Sequence, residues 1–291
     1  MLFTIKDIEN LSGIKAHTIR IWEKRYSFLK PKRSDTNIRH YSSEELRVIL
    51  NIALLNKYGY KISHIDQMTE ELMLDSVLSI TDPEARANVT VNDLLKCMID
   101  FDAEKFEIIL NKSIAAKGIE ETIIKIILAF LDKVGILWLT KHINPVHERL
   151  VSNIIRQKLI SGIDSLPTKK VLATSVCLFL PQGEFHEISL LFVSYLLKKK
   201  GITVIYLGAN IPLEELKIVA SLKNPSYLYT HLTTAGQNFS FDKFLSILHK
   251  DFRNVPIIIS GRLAANYVKK IPPKIIFKRS LPEVFEFISE L

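Results

Sequence analysis

Glu184 and His186 are the two residues of this chain that most clearly suggest a chemical role. Both lie in the stretch "PQGEFHEISLLFVSYLLKKKG". An apolar run precedes this stretch and a second one follows it. A histidine at such a junction has three candidate roles: a buried helix residue, an acid–base catalyst, or a ligand to a metal that the protein does not supply itself. The local sequence alone leaves all three open.

A second group of polar and aromatic residues lies in "WLTKHINPVHERL", where Trp138, His142, His147 and Glu148 crowd a predicted helix junction. The simplest interpretation is the end of a helical bundle, with Trp138 in the core and the polar side chains in solvent. A zinc site is disfavoured because a third and a fourth ligand at suitable spacing are missing. We therefore predict no independent metal site.

A third group is basic. Between Lys15 and Arg39 there are eight basic residues and two acidic ones, so this short region carries +6 of the chain's net charge of +8. A charge run is commonly just a solvated face. Such a concentration near one end, however, indicates a polyanionic partner once a binding motif surrounds it.

Composition excludes several classes of protein. Apolar residues make up 47% of the chain, which indicates a folded protein. Cys97 and Cys177 are too few and too separated for a disulfide framework, and we predict reduced core residues in a cytosolic protein. We predict no signal peptide, and the apolar stretch 119–139 contains five charges, which disfavours a membrane span.

The elements that position the basic group come first in the chain. Thr4 suits the cap of a first helix, and Ser12-Gly13 suits a tight turn after it. A second helix over residues 15–25 has a basic face and an apolar face, with Trp22 in the core. Two short helices joined by a glycine-containing turn are typical of a helix-turn-helix motif.

The next segment makes this motif specific. A turn cluster at residues 34–37 between basic arms predicts a β-hairpin wing, and Ser42 and Glu45 predict a capping box for a third helix. "R-x-W-E-x-R-Y" at residues 20–26 and "R-x-Y" at residues 39–41 resemble the winged-helix DNA-binding domain of the mercury-resistance-regulator (MerR) family.

This resemblance implies that the second helix enters the major groove and that the wing contacts the DNA backbone and minor groove. Arg20 suits a guanine edge or a phosphate, whereas the wing cations suit phosphates. Tyr41 suits a phosphate through its hydroxyl. The predicted DNA-binding residues are Lys15, His17, Thr18, Arg20, Lys24, Arg25, Lys30, Arg33, Arg39 and Tyr41.

Simple members of the family follow the wing with a long helix that dimerises as an antiparallel coiled coil. The corresponding segment here, residues 63–80, is short and stops near Asp82-Pro83. We therefore predict that residues 1–75 form a DNA-binding head that is monomeric alone. A homo-oligomer would form through the domains that follow.

Residues 90–161 are nearly free of strand signals and predict helices at about 91–100, 102–116, 119–141 and 144–161. Four helices with short connections predict a four-helix bundle over residues 82–165. Residues 168–291 contain five strand–helix units, which predict a flavodoxin-like or Rossmann-like parallel α/β domain. Dinucleotide and P-loop glycine motifs are absent from the sequence. Ligands of such sheets bind beyond the carboxyl ends of the strands, and His186 directly follows the first strand.

"E-F-H-E-I-S" after the first strand, "YLG" after the second and "SG" after the fourth resemble the cobalamin-binding domain. The resemblance implies that His186 is the lower ligand of cobalt and that Glu184 hydrogen-bonds its other nitrogen. Ser189 and Ser260 stand where that family has glycine. The second of those glycines gives the nucleotide tail of cobalamin close access, which a hydroxymethyl group obstructs.

The order of the domains resembles the light-responsive CarH/LitR repressors, whose bundle carries W-x9-E-H above the corrin ring. Trp138 and Glu148 keep that spacing, whereas Arg149 replaces the histidine that captures cobalt after photolysis. The predicted cofactor-binding residues are Trp138, Glu148, Glu184, His186, Ser189, Tyr206, Leu207, Gly208, Ser260 and Gly261.

The sequence thus predicts a non-enzymatic, sequence-specific transcriptional regulator that binds a double-stranded DNA operator and carries a module resembling a cobalamin sensor. Two alternatives stay open. One is a cofactor-free regulator that uses a degenerate module for protein–protein contact. The other is a corrinoid carrier or methyltransferase component, which is disfavoured because no region is long enough for a substrate-binding (β/α)8 barrel of about 250 residues.

Overall fold

The computed structural model describes residues 2–34, 37–80, 82–139, 143–167, 172–233 and 239–291. The chain divides into two compact units, Met1–Ile154 and Ile155–Leu291. No helix in the described ranges is long and apolar enough to cross a membrane. The finer division into domains 1–75, 82–165 and 168–291 remains a prediction.

The first unit begins with a winged helix-turn-helix. Its elements are β1 (Leu2–Phe3), α1 (Ile5–Ser12), α2 (Ala16–Arg25), β2 (Lys32–Arg33), β3 (Arg39–Ser42) and α3 (Ser43–Lys57). The three strands form an antiparallel sheet in the order β1-β3-β2. The sequence did not predict β1, because a strand of two residues leaves no periodic signal.

Local signals explain where these helices begin and end. Thr4 and Ser42 accept hydrogen bonds from the backbone three residues on, and Asp7 and Glu45 complete a capping box at each helix start. Gly13 ends α1 with φ of 74°, a left-handed conformation that favours glycine. The predicted caps and the predicted turn are confirmed.

Two short helices follow α3, namely α4 (Ile62–Ile65) and α5 (Glu70–Ser79). Residues 63–80, all of them described, therefore contain no long continuous helix, which agrees with the prediction for this segment. Asp82 then caps the next helix, with proline in its first turn.

Four helices complete the first unit and lead into the second: α6 (Pro83–Ile99), α7 (Ala103–Thr122), α8 (Leu128–Leu139) and α9 (Pro145–Asp164). Helix α6 packs against α7 and α8. It begins earlier than the predicted start at residue 91. Gly118, with φ of 78°, breaks the backbone inside α7 where the sequence placed the break between two helices, and a π-helical turn leads into α8.

The α/β domain contains β4 (Ser175–Pro181), α10 (Glu187–Lys200), β5 (Thr203–Ile211), α11 (Leu213–Lys223), β6 (Tyr227–His231), α12 (Phe241–Asp251), β7 (Ile257–Ser260), α13 (Arg262–Ala265), β8 (Ile275–Lys278) and α14 (Leu281–Glu290). The strands pair in parallel in the order β5-β4-β6-β7-β8, the flavodoxin-like order. The strand order reverses between β4 and β6, and ligands of such sheets bind beyond the carboxyl ends of the strands at that point.

Apolar residues on both faces of this sheet form its core. Phe179, Leu228 and Ile259 are almost fully buried, and side chains of α12 cover them. Cys97 and Cys177 are buried and unpaired, as predicted, and burial raises the pKa of each thiol to about 11.

Candidate functional site

The exposed face of α2 is cationic. Ile19 and Trp22 are 0% and 6% exposed, so they anchor the helix in the head, and Trp22 is a core residue as predicted. The opposite face carries side chains that reach solvent: Lys15, His17, Arg20, Lys24 and Arg25. Thr18 lies on the edge of this face, with its hydroxyl 3.3 Å from the ring of His17. This face has the charge and exposure needed for a DNA groove.

The wing extends the cationic surface. Lys30 and Arg33 are exposed. The Arg33 guanidinium donates to the side-chain oxygen of Asn37 at 2.7 Å, and the backbone N–H of Lys30 donates to Glu45 at 3.1 Å. Residues 35–36 of the predicted turn lie outside the described residues. The described part of the wing therefore carries three exposed cations, Lys30, Lys32 and Arg33.

Arg39 and Tyr41 are arranged differently from the prediction. Tyr41 is fully buried and donates its hydroxyl to Glu23 of α2. The Nε of Arg39 donates to the other Glu23 oxygen at 2.6 Å. Burial, together with Glu23, raises the pKa of Tyr41 well above its usual range, so the hydroxyl stays protonated.

The predicted phosphate contact of Tyr41 is therefore corrected, because its hydroxyl is used inside the head. The Nε of Arg39 likewise donates its hydrogen bond to a carboxylate within the head. Sequence reasoning missed Glu23 as the residue that joins α2 to the wing. Its only signal was its place inside "R-x-W-E-x-R-Y".

The junction of α8 and α9 holds the predicted pair. The indole N–H of Trp138 donates to Glu148 at 2.8 Å, and the Trp138 side chain is 39% exposed. The interpretation of Trp138 as a core residue is therefore wrong. Arg149 is exposed one position further along α9.

His147 is the buried residue at this junction, contrary to the expectation of a solvated side chain. It is 5% exposed, its ring centroid lies 4.0 Å from that of Phe101, and its Nδ1 lies 2.9 Å from the Asn144 side-chain oxygen. Desolvation lowers the pKa of His147. The other histidine of this segment, His142, lies outside the described residues.

Glu184 and His186 form a short, oriented pair. The ring Nδ1 of His186 lies 2.5 Å from a Glu184 oxygen, and the carboxylate is 3% exposed while the imidazole is 42% exposed. Glu184 also accepts the backbone N–H groups of Phe185, His186 and Thr233 at 2.9, 3.0 and 3.0 Å. A carboxylate at Nδ1 places the imidazole lone pair on Nε2, the arrangement that metal-bound histidines use.

His186 occupies the cap position of α10, but its side chain makes no capping hydrogen bond. A simple role as a helix-capping histidine therefore does not describe it. Within the described ranges, no three His, Cys, Asp or Glu side chains come together as a self-sufficient metal site. A metal held by His186 would bring its remaining ligands with it.

Ser260 lies in a buried network at the same edge of the sheet. It is 1% exposed, and its hydroxyl lies 2.6 Å from the Tyr229 hydroxyl and 2.8 Å from Nδ1 of His231. Tyr229 is fully buried, and desolvation lowers the pKa of His231 to about 4, so that imidazole is neutral near pH 7. Sequence reasoning missed Tyr229 and His231.

Glu187, next to His186, is held by its own cluster. It accepts the Tyr206 hydroxyl at 3.0 Å and pairs with Arg156 at 2.7 Å. Gly208 has φ of 84°, and a Cβ there would lie 3.0 Å from the Glu187 carboxylate. Tyr206 and Gly208 thus support the start of α10 from β5.

Three other predicted residues have simpler environments. Leu207 packs against the apolar core of the domain. Ser189 lies partly buried in the first turn of α10. At Gly261, with φ of 94°, a Cβ would lie 2.4 Å from the Leu232 carbonyl oxygen, so only glycine fits this turn.

The α/β domain fits one part of a cobalamin and not another. The Glu184–His186 pair fits an axial ligand of cobalt in both exposure and tautomer. The hydroxyl of Ser260, in contrast, stands in the predicted tail entry and is packed with two further side chains. A cobalt ion would therefore be held by His186, whereas protein side chains occupy the space around Ser260.

The chain is similar to known proteins in its head, in its helical domain and over most of its length. Residues 3–72 match the model of the MerR HTH family of regulatory proteins, and residues 90–160 match a B12 binding domain. The HTH-type transcriptional repressors CarH and CarA of Myxococcus xanthus are 23% and 26% identical over 91% and 93% of this chain and 90% of each of theirs. A Methanosarcina barkeri monomethylamine corrinoid protein shares 13% identity at a TM-score of 0.51, over 68% of this chain and 95% of its own.

The winged head and the matched helical domain define a MerR-type DNA-binding transcriptional regulator with a B12-binding domain. Within that class the chain is similar to CarH and CarA, and the similarity covers 91% and 93% of its length. The structural likeness to the corrinoid protein shows the shared fold alone.

Proposed function

We propose that this protein is a transcriptional repressor that binds a double-stranded DNA operator through α2 and the wing. The observation that carries the proposal is the exposed cationic face of α2, flanked by Lys30 and Arg33, inside a MerR-type domain. The direction of regulation follows from the repressor names of its relatives. The protein acts as a homo-oligomer assembled downstream of the head, because residues 63–80 contain only short helices.

The first experiment compares Arg20→Ala with Lys57→Ala in the full chain. Arg20 lies on the exposed face of α2, and loss of a base or phosphate contact costs about 1–3 kcal/mol, or roughly 5- to 150-fold in affinity. Lys57 is a matched control because it pairs with Glu84 at 2.8 Å, away from α2. Equal losses of operator affinity would contradict the role of Arg20.

The effector of this repressor is a corrinoid held by His186. The Glu184–His186 geometry carries this part, with an exposed imidazole oriented by a buried carboxylate. A bound corrinoid would supply a cobalt ion, and the His186 imidazole would hold it. His186→Ala should abolish the imidazole-ligated absorption spectrum, whereas His249→Ala, a control on α12, should leave it unchanged.

A second candidate is a regulator that needs no cofactor and uses the α/β domain for protein contact. The filled space around Ser260 favours it. The absence of any imidazole-ligated spectrum with every corrinoid tested, in protein that still binds its operator, would select this candidate. A non-enzymatic role is favoured because the relatives that match most of the chain are transcriptional repressors.

A further inference from the structure

We infer that Tyr229, His231 and Ser260 close this domain to corrinoids that carry a nucleotide tail, so that His186 receives a tail-less corrinoid of the cobinamide class. The inference rests on the proposed corrinoid-binding function of the α/β domain. It assigns these three side chains as determinants of specificity.

The chemistry of the ligand defines how much space is needed. In free cobalamin the nucleotide base occupies the lower axial position of cobalt. When a protein imidazole takes that position, the displaced nucleotide must be housed on the same side of the ring, beside the histidine. Here that side is the carboxyl edge of the sheet, because the backbone N–H of Thr233, just after β6, donates to the carboxylate that orients His186.

The structure fills this edge with protein atoms. His231 and Ser260 are register partners at the ends of β6 and β7. Because side chains alternate along a strand, Tyr229 projects from the same face as His231. The Ser260 hydroxyl joins all three, at 2.6 and 2.8 Å from its two partners. A benzimidazole nucleotide would have to displace the Tyr229 ring.

The network is anchored in the core, which opposes such a displacement. The Tyr229 ring stacks on Phe287 of α14 at a centroid distance of 6.3 Å, and Tyr229 is fully buried. Moving it would remove one of the two hydrogen bonds of the Ser260 hydroxyl in a desolvated site. A cobinamide makes no such demand, because it has no nucleotide to place under the ring.

The test titrates the full-length protein with aquocobalamin and, separately, with diaquocobinamide, and follows the absorption shift that imidazole ligation produces. The wild-type protein should bind cobinamide at least about tenfold more tightly than cobalamin. His186→Ala should remove the shift. The double variant Tyr229→Ser, Ser260→Gly should gain cobalamin binding, whereas Tyr227→Ser should not.

Tyr227 is a matched control because it lies on the same strand, and its ring contacts the same Phe287 at 5.4 Å. Ser260→Gly alone serves as a milder opening if circular dichroism shows that the double variant does not fold. Equal binding of both corrinoids to the wild type would overturn the inference and keep the proposed function. Binding of neither would overturn both, and operator binding of the same preparation would show that the protein is folded.

Discussion

Glu23 in the head and Glu184 in the α/β domain are both buried carboxylates, 7% and 3% exposed, that hold a side chain of predicted function. They differ in the sequence separation between each carboxylate and its partners. Glu184 holds His186, two residues away, together with the backbone around it. Glu23 holds Arg39 and Tyr41, 16 and 18 residues away, and so joins a helix to a wing.

The two carboxylates therefore have different roles: Glu184 orients a side chain for ligand binding, whereas Glu23 stabilises the DNA-binding head. Glu184 leaves the imidazole exposed and sets its tautomer, so its partner is ready for a ligand. Glu23 buries the Tyr41 hydroxyl and engages Arg39, so its partners support the DNA-binding surface from within. Two similar carboxylates therefore have opposite effects on the availability of the groups that they hold.

The largest effect should come from Glu184→Leu, which removes the acceptor of three backbone N–H groups and one imidazole. We expect the free energy of unfolding of the α/β domain to fall by about 3–5 kcal/mol, because buried donors would lose their partner. Operator affinity should change little if the protein remains folded. Urea denaturation followed by circular dichroism measures the loss.

Glu214→Gln is the control for this variant, since the Glu214 side chain is 81% exposed and pairs with Lys217. An exposed pair of this kind contributes about 0–1 kcal/mol. Similar losses for the two variants would mean that Glu184 does not brace the loop.

Glu23→Gln should have a moderate effect on the head. The substitution keeps the shape but removes the charge that Arg39 contacts, and hydrogen bonds to charged groups contribute about 1.5–3 kcal/mol. We expect lower stability of the head and weaker operator binding, with an unchanged α/β domain. Glu84→Gln is the control, because Glu84 pairs with the exposed Lys57 at 2.8 Å, away from α2. Unchanged operator binding in Glu23→Gln would contradict the role of Glu23 in supporting the DNA-binding surface.

His147 differs from His186 because its ring contacts the neutral side chain of Asn144 and not a carboxylate. Desolvation lowers its pKa in the folded state, so the unfolded state takes up a proton first as the pH falls. The stability that the neutral ring contributes is fully present above about pH 6.5, the pKa of histidine in the unfolded state. It declines as the pH falls below that value. His147→Gln should show a shallower decline between about pH 7 and 5 in urea-denaturation series. Parallel curves would assign the decline to other groups.

The smallest effect is expected from light. The light-responsive repressors that the chain resembles use a histidine at the position of Arg149 to capture cobalt after photolysis. A guanidinium stays protonated and cannot ligate cobalt. Illumination of protein loaded with an adenosylated corrinoid should therefore leave operator affinity unchanged and form no bis-imidazole adduct. Arg149→His is the informative variant. A bis-imidazole spectrum in the wild type, lost in His147→Ala, would show that His147 had moved to the cobalt.

Short-range signals in the sequence determined much of this protein. The cap at Thr4, the capping box at Ser42, the break at Gly118 and the alternation of strands and helices all depend on neighbours within a few residues, and these predictions are confirmed. The Glu184–His186 contact is equally local, since only Phe185 separates the two residues. Such features follow from backbone propensity and spacing, which a single sequence contains.

The tertiary structure alone decided which side chains are available. Tyr41 is buried by a residue 18 positions away, and Trp138 is exposed although its apolar ring suggested a core position. Tyr229 and Ser260 meet across 31 residues because β6 and β7 pair in a particular register. Register and packing depend on the whole domain, since one residue of slip would turn each side chain to the other face of the sheet.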